Sequence, residues 1–312
     1  MQFVKFAKIL VLFLICKTTL IISISFGPAG FIDIKDPLMQ AVVFEYRLPR
    51  VLLAMLVGAS LAAAGCAMQA FFRNPLADPY VLGVSSAASV GAAVVISLGI
   101  GSTWNIMLSA FLASLVTSFS VYRLGRRGEN YAVLLAGIAV SSLLSGITAI
   151  IIYFSQQSAH EILFWIMGSF SRAIWQKVLL LTIPFFIGVT YLLLNSWNLN
   201  AILLGEEHAR SLGINVERFR KELIAVTSLL TSASVAVCGI IGFVGIIVPH
   251  TMRLIFGEAH QRLLPSAILF GATLMPLVDL VSRTCTTGEI PVGAVTAILG
   301  SPFFLYILRR GL

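Results

Sequence analysis

Ten stretches of apolar residues dominate the chain, and this pattern restricts it to one fold class. The stretches lie at residues 6–26, 50–70, 80–100, 104–123, 131–154, 175–195, 222–241, 243–256, 263–282 and 290–308. A transmembrane helix needs about 20 consecutive apolar residues, and only the stretch at 243–256 is clearly shorter, as expected of a half-span or a bent helix. Strands of a membrane barrel would alternate apolar and polar residues instead. We therefore predict an all-α, polytopic membrane protein of about ten transmembrane helices.

Composition excludes the classes of protein that fold in water. Hydrophobic residues make up 58% of the 312 residues and charged residues only 11%, against about 25% charged residues in an ordinary soluble domain. So few polar groups cannot cover a soluble surface, which excludes a cytosolic enzyme, a disordered protein and a secreted disulfide scaffold. Ten spans with short connections use the whole length, so we predict a single transmembrane domain over residues 1–312.

The basic residues predict how the chain is oriented. If the first residues are cytoplasmic, fourteen of the 21 Lys and Arg residues lie in cytoplasmic segments. That excess is typical of the cytoplasmic side of membrane proteins, so the net charge of +8 does not indicate nucleic-acid binding. We predict both termini to be cytoplasmic and the first helix to be uncleaved, because no small-residue cleavage site follows it. Lys17 falls in the middle of that helix, and the sequence offers no firm explanation for it.

The spans carry few groups that would power transport by themselves. Ion-coupled transporters keep carboxylates or histidines inside the helix bundle, whereas almost every ionisable residue here lies near the end of a span. The spans are filled with small residues, as in GVSSAASVGAA (83–93), which let helix backbones pack closely. The four cysteines show no metal-ligand spacing, so we predict no metal site and no structural disulfide. We therefore expect the energy for transport to come from another chain.

Motifs of well-known catalytic sites are missing from the sequence. It contains no Gly-Lys pair and hence no nucleotide-binding Walker A loop. The pair at 160–161 does not continue into a zinc-protease motif, and GVSSA (83–87) lacks the last glycine of a serine-hydrolase elbow. His250 has no second ligand nearby and is interpreted as structural. We predict no catalytic residue.

Two arginines at the start of the second span are unusually placed. Pro49 is interpreted as a first-turn proline of a helix, and Arg47 and Arg50 flank it on the predicted outer face. Cations are disfavoured at a helix N-terminus, so the pair binds either lipid phosphate or, as we prefer, an acidic partner outside the membrane. Arg283 ends the ninth span on the same face, where the helix C-terminus and Asp279 four residues earlier are sufficient to explain it.

Two connections stand out on the predicted cytoplasmic side. The segment at 199–222 is the largest polar excursion, and Gly205 and Gly213 interrupt its helix-forming residues. This pattern predicts one or two short helices outside the bilayer, either as a solvated loop or as a docking element. The corner RNPLADPYVLG (73–83) joins the second and third spans, with two prolines that stop helices and polar residues that cap the next one.

Several segments in order resemble the permease subunits of bacterial ABC importers for iron-siderophores, haem and cobalamin, the FecCD family. The resemblance covers nearly the whole chain. Its motifs are RLPR (47–50), Gln69 in the second span, RNPLADPYVLG (73–83), LGEEHARSLG (204–213), GFVGIIVPHTMRL (242–254), LVDLVSR (277–283) and EIPVGAVTAILGSPFFLYIL (289–308). Each motif alone is weak, and all of them in order are highly specific.

The resemblance implies a system of several chains in the bacterial cytoplasmic (inner) membrane. A second permease subunit, identical or paralogous, would complete a dimer of about ten helices each around a central path. Two cytoplasmic ATPase subunits would bind ATP and magnesium, whereas this chain would hold no cofactor and no metal and would not be an enzyme. A periplasmic or lipid-anchored binding protein would deliver the substrate, which in this family is a ferric siderophore, haem, cobalamin or molybdate.

The resemblance also implies roles for individual residues. In the related cobalamin permease, outward arginines receive acidic residues of the binding protein. The matching docking positions are Arg47, Arg50 and Arg283. The matching positions of the cytoplasmic gate are Asn74 and Leu76 and, as weaker candidates, Asn130 and Tyr131. Larger side chains stand here in place of the relative's small hydroxyl residues at this gate.

The segment at 199–222 is similar to the loop through which such permeases contact their ATPase. Glu207, Ala209 and Gly213 match the E-x-A-x-x-x-G core of importer coupling motifs, and a short helix there would fit a groove on the ATPase. The neighbouring charges of Glu206 and Arg210 would set orientation more than affinity. These five residues are the predicted ATPase-coupling site.

The sequence therefore leads to one preferred hypothesis and two alternatives. We expect the permease subunit of an ATP-driven importer with alternating access. An ion-coupled secondary transporter would need a titratable group in its core, for which Lys17 is the mid-span candidate. An intramembrane enzyme would need a catalytic pair, and the sequence offers none.

Overall fold

A computed structural model describes residues 2–27, 30–31, 36–126, 130–286 and 288–310. The longer helices are α1 Gln2–Ser25, α3 Leu48–Phe72, α5 Thr103–Gly125, α6 Asn130–Phe154, α8 Trp175–Leu194, α11 Val216–Cys238, α13 His260–Thr284 and α14 Val292–Arg310. The shorter helices are α2 Pro37–Val42, α4 Val84–Ser97, α7 Ala159–Ile166, α9 Ser196–Leu204, α10 Glu206–Ser211 and α12 Val244–Phe256. After α1, strand β1 (Phe26–Gly27) pairs antiparallel with β2 (Gly30–Phe31). The all-α fold class is confirmed.

Each of the ten predicted apolar stretches falls on a helix. Seven helical stretches of the described chain are long and apolar enough to cross a membrane, and α4, α12 and the described part of α14 are shorter apolar helices. With 13 residues, α12 is about 20 Å long, which is less than the hydrocarbon thickness of about 30 Å. The multi-pass architecture is confirmed, whereas ten full crossings remain a prediction.

Helix α3 forms the centre of the bundle, and small residues let its neighbours approach. Twenty of its 25 residues are buried. A methyl group on Gly58 or on Gly271 of α13 would overlap the backbone of the other, and one on Gly65 would overlap the backbone of Gly245 in α12. The small-residue run at 83–93 also serves packing, since Ser109 of α5 donates to the Gly91 carbonyl at 2.7 Å. These contacts fix the helices that carry the candidate sites.

The start of the second span differs from the sequence-based interpretation. Helix α2 continues through a π-helical turn at Val43–Arg47 directly into α3, so the helical stretch runs from residue 37 to residue 72 without a break. Pro49 therefore lies inside a helical stretch. The π-helical turn before it is wider than an α-helical turn, so it leaves room for the proline ring and does not require a proline N–H. The prediction that Arg47 and Arg50 lie at a helix N-terminus is wrong, and the dipole penalty argued from it does not apply.

Candidate functional site

Arg50 is the centre of a charged cluster at the end of the bundle where α13 ends. Its Nε lies 3.0 Å from both carboxylate oxygens of Asp279, and its Nη2 lies 2.8 Å from one of them. Its Nη1 and Nη2 also donate to Glu289 at 2.7 and 3.0 Å. The Arg50 side chain is 11% exposed, and that of Asp279 is fully buried. Paired contacts of this kind fix the orientation of a guanidinium as well as its charge.

Two further arginines complete this arginine cluster. The arginine cluster consists of Arg47, Arg50, Asp279, Arg283 and Glu289. Arg283 Nε lies 3.6 Å from the Asp279 carboxylate, and its Nη2 donates to the Ser23 carbonyl of α1. Arg47 Nη1 donates to the last two carbonyls of α1 at 3.1 and 3.2 Å. The cluster therefore joins α1, α3 and α13 to Glu289, three residues before α14.

The three arginines predicted to dock an acidic partner are thus engaged inside this chain. Arg47 and Arg283 are buried, at 6% and 3% exposure. The expected pair between Arg283 and Asp279 is present, and Asp279 also serves Arg50. Glu289 is 34% exposed and is the most open of the carboxylates in the cluster. As the side chains lie, a partner would first meet Glu289 and only behind it Arg50, and the docking role stays a prediction.

The gate candidates Asn74 and Leu76 lie in a tight turn at the opposite end of α3. Arg73 ends the helix in the left-handed conformation, with φ of +50°. The Asn74 amide donates back to Gln69 at 3.1 Å, so the turn begins as a direct continuation of the last helical turn. The Asn74 side chain accepts from the Leu76 amide at 2.9 Å. Asn74 is exposed and Leu76 is half-buried, as residues beside an open path would be.

The same turn continues into a 3-10 helix that is fixed by Asp78 and Tyr80. The Asp78 carboxylate accepts from the Tyr80 amide at 2.8 Å and caps this helix, and it is one of the polar residues of the 73–83 corner predicted to cap the next helix. Burial raises the pKa of Asp78 from 3.8 to about 6, and the amide hydrogen bond opposes that rise. The Tyr80 hydroxyl donates to the Ile241 carbonyl at 3.1 Å, in the connection between α11 and α12. The turn is therefore held at both of its ends.

The weaker gate candidates lie at the start of α6. Tyr131 is 62% exposed in the first turn of this helix. Asn130 begins α6, and its side chain lies outside the described part of the chain. Further along α6, a side chain on Gly137 would overlap the Val81 carbonyl, so the helix packs directly on the 3-10 helix. The structure thus brings α6 to the turn, and Tyr131 lies six residues, or less than two helical turns, before that contact.

Within the 199–222 segment, α10 forms the short helix that the sequence predicts. Gly205 and Gly213, with φ of +129° and +80°, border it. The Gly213 amide donates to Arg210 at 2.9 Å and the Ile214 amide to Ala209 at 3.1 Å, which is the arrangement that commonly ends a helix at a glycine. The backbone at both glycines adopts conformations that other residues rarely take.

The two faces of α10 differ sharply. Glu207 and Arg210 are exposed, and so are the large apolar side chains Leu204 and Leu212, at 72% and 61%. Ala209 is fully buried against its own chain. Exposed charges in α10 and exposed leucines on either side of it are typical of a contact surface, and the contact with an ATPase stays a prediction. Of the five predicted coupling residues, Ala209 therefore packs against its own chain and supports α10 without facing a partner.

Glu206 faces the bundle and binds an arginine that sequence reasoning missed. Its carboxylate lies 2.6 Å from Nη1 of Arg220 on α11 and 3.4 Å from Nη2 of Arg210. The Arg220 guanidinium lies over the ring of Phe71 on α3, 4.9 Å from its centre. No local pattern reveals a contact between residues so far apart in sequence. The role of Glu289 was missed too. The sequence placed this carboxylate just before an apolar stretch, on the same outer face as Arg50, so a pairing of the two could have been predicted.

With this geometry in view, comparison with known proteins gives a consistent result. The FecCD transport family matches residues 8–310. The chain belongs to the FecCD transport family. The family that the sequence motifs resemble is thereby confirmed, and with it the classification as an ABC importer permease. Coverage from residue 8 to residue 310 includes all three candidate sites of this FecCD protein.

Individual relatives of this FecCD chain carry different substrate names. A cobalamin import permease of Halobacterium salinarum is 40% identical over 86% of this chain and 74% of its own. A molybdate import permease of Haemophilus influenzae is 38% identical over 88% and 84%. A solved structure of an inward-facing metal-chelate type ABC transporter is 36% identical, with a TM-score of 0.92 over 97% of this chain and 99% of that one. Similarity alone therefore does not select a substrate.

The position of Lys17 bears on the alternative of an ion-coupled transporter. Lys17 lies on an exposed face of α1, outside the packed interior of the described chain. The buried carboxylate of Asp279, which lies near the end of α13, is already paired with two arginines. A coupling group would have to change its protonation inside the core. Neither residue has the setting that this alternative requires.

Proposed function

We propose that this chain is the membrane permease of an ATP-driven importer, working as one of two permease subunits with two ATPase subunits and a substrate-binding protein. The observation that carries this proposal is the FecCD match over residues 8–310, together with a TM-score of 0.92 to a metal-chelate type ABC transporter. In this account both termini are cytoplasmic, the membrane is the bacterial inner membrane, and ATP chemistry takes place on another chain.

The ATPase contacts the exposed face of α10. Glu207 and Arg210 supply charges that orient the partner, and Leu204 and Leu212 supply apolar area beside them. Gly213 has open space around the position of a side chain, so a partner can approach its backbone closely. Ala209 and Glu206 face inward and hold α10 on the permease.

The turn that holds Asn74 and Leu76 forms the cytoplasmic constriction, and Tyr131 and Asn130 lie beyond it at the start of α6. Rotation of the spans during ATP binding and hydrolysis opens and closes this constriction. The hydrogen bonds from the turn to Gln69 and from Tyr80 to Ile241 favour this role, because they make the turn follow α3 and the connection before α12.

The arginine cluster receives the binding protein at the outer end. Three arginines against two carboxylates leave an excess of positive charge there. An acidic side chain of the partner reaches Arg50 from the side of Glu289, the more open carboxylate. In this account, Arg47 and Arg283 act mainly by holding Arg50 and α1 in place, since both are buried.

The substrate is a large chelate or oxyanion of the kinds that FecCD importers carry: a ferric siderophore, haem, cobalamin or molybdate. Competition among these four compounds for uptake by cells that express the system identifies it. The substrate is the compound whose uptake is saturable and is not displaced by the other three.

Copurification tests the proposed assembly. The tagged chain is purified in mild detergent from its native host, and an ATPase subunit is expected to accompany it. The variant Glu207→Arg with Arg210→Glu reverses two exposed charges of α10 and should release that subunit. The matched control Arg218→Glu reverses an exposed charge on the neighbouring helix and should retain it. Purification without any ATPase in the wild type would refute the proposed function.

A further inference from the structure

A side-chain bridge connects α10 with the end of α3. Glu206 is the first residue of α10, and its carboxylate oxygen lies 2.6 Å from Nη1 of Arg220. The Cζ atom of the same guanidinium lies over the Phe71 ring, 4.9 Å from its centre. Arg220 is 16% exposed at its side chain, and Phe71 is 2% exposed. A cation held between a carboxylate and an aromatic face away from water binds both.

The far end of this bridge leads directly into the gate turn. Phe71 packs edge-on against Phe72 at 4.8 Å between ring centres, in the last turn of α3. Arg73 follows in the left-handed conformation, and Asn74 is hydrogen-bonded back to Gln69. Displacement of Phe71 therefore moves the residue that begins the gate turn, because no flexible segment lies between them.

The backbone around α10 is a poor transmitter of motion by comparison. Gly205 and Gly213 border the helix, and neither has another atom within 4 Å of the position of a side chain. Glycines in open positions let a short helix change its angle without moving the chain on either side. A push on α10 would be absorbed at these two residues unless a side chain ties the helix to the bundle.

We propose that Arg220 is a positioning residue that transmits movement of α10 to the gate turn through Glu206 and Phe71. This inference rests on the proposed function, since it takes α10 as the ATPase contact and the 74–76 turn as the gate. Arg220 touches neither nucleotide nor substrate in this account. It makes the coupling helix and the end of α3 move as one unit.

Cysteine labelling of the gate turn tests this inference without knowledge of the substrate. Leu76→Cys is introduced in a Cys285→Ser background, because Cys285 is an exposed thiol. The purified complex with its ATPase is treated with a maleimide, with and without ATP. We expect ATP to change the labelling rate in the complex with Arg220 intact, and Arg220→Met to reduce that change about tenfold, while ATPase binding and basal ATP hydrolysis remain.

Two further variants separate transmission from a purely structural role. Arg220→Lys keeps a cation between Glu206 and Phe71 and should restore part of the ATP response. Arg218→Met removes an arginine of the same helix that also pairs with a carboxylate, Glu222 at 2.8 Å, but is 78% exposed. It should leave the response unchanged. A merely structural Arg220 would change thermal stability in Met and Lys variants without affecting the ATP response of the folded complex.

The possible outcomes are distinct. An ATP response in Arg220→Met equal to that of the unchanged complex overturns the inference and leaves the proposed function intact. Loss of the ATPase subunit from Arg220→Met also overturns it, because Arg220 would then hold the complex together instead of transmitting motion. Absence of an ATPase from the complex with Arg220 intact overturns the proposed function itself. Loss of the response with the ATPase retained supports the inference.

Discussion

The arginine cluster and the 199–222 segment both pair arginines with carboxylates, but they do so in opposite surroundings. Arg50 and Arg283 have 11% and 2% of their side chains exposed, whereas Arg210 and Arg218 have 60% and 78% exposed. Buried charges must be satisfied inside the chain, and exposed pairs contribute little to stability. The arginines of the cluster therefore hold helices together, whereas Arg210 in the 199–222 segment remains accessible to a partner.

Among the variants that test this difference in burial, Asp279→Ala has the largest expected effect on stability. It leaves Arg50 and Arg283 buried without their shared carboxylate, which costs about 3–5 kcal/mol of unfolding free energy. We expect a steep loss of folded protein and a strongly lowered Tm in detergent, measured by a thermal shift assay. The control Glu207→Ala removes an exposed carboxylate and should change Tm little. Equal Tm values for both variants would show that burial does not distinguish the two regions.

Asp78 extends the comparison to a third kind of carboxylate. Burial raises its pKa, and no arginine among the described residues pairs with it. Its pKa is about 6 in the folded chain and 3.8 normally, so the folded state loses stability as pH rises from about 4 to 6. Asp78→Asn keeps the helix cap and removes this loss. We expect equal Tm values near pH 4 and a more stable variant at pH 7.5, by up to about 3 kcal/mol. Parallel pH profiles would contradict the raised pKa.

Glu289→Gln should have a smaller effect, since this carboxylate is partly exposed and Arg50 keeps Asp279. We expect a loss of about 1–2 kcal/mol in unfolding free energy, seen as a modest decrease in Tm. If Glu289 competes with the acidic partner for Arg50, binding of the substrate-binding protein tightens, which surface plasmon resonance would measure. Weaker binding in this variant would mean that Glu289 assists docking.

Gly213→Ala has the smallest expected effect on stability. It tests the exposed 199–222 segment. The left-handed conformation costs a residue with a side chain about 1 kcal/mol, and there is space for the methyl group. We therefore expect nearly unchanged Tm but weaker copurification of the ATPase. Replacement of Gly99, another exposed glycine with positive φ, provides the control and should leave copurification unchanged. Full retention of the ATPase by Gly213→Ala would exclude a close backbone contact there.

Much of the fold was predictable because it depends on local patterns. Ten apolar stretches gave helices near the expected boundaries, and two glycines with a polar stretch between them gave α10. The continuation of helix before Pro49 was missed, because a proline after charged and aromatic residues has the features of a helix start. That signal is local, and the residue pattern does not reveal the π-helical turn through which the helix continues past Pro49.

The candidate sites were less predictable, because their decisive contacts join distant parts of the chain. Arg50 meets Asp279 and Glu289 across more than two hundred residues, and Arg220 meets Phe71 across nearly one hundred and fifty. Motif matching singled out three arginines that lie in one cluster and a segment that contains a short helix. It did not reveal that Asp279 and Glu289 hold Arg50 or that carbonyls of α1 hold Arg47, since these partners are set by the helix arrangement.

Transport by the purified complex in proteoliposomes tests the central claim most directly. The chain is reconstituted with its copurified ATPase, and the substrate-binding protein loaded with ferric siderophore, haem, cobalamin or molybdate is supplied on the outside. We expect one of these compounds to accumulate only when ATP is enclosed in the vesicles. A proton or sodium gradient should not replace ATP. Accumulation driven by such a gradient without the ATPase subunit would contradict the account.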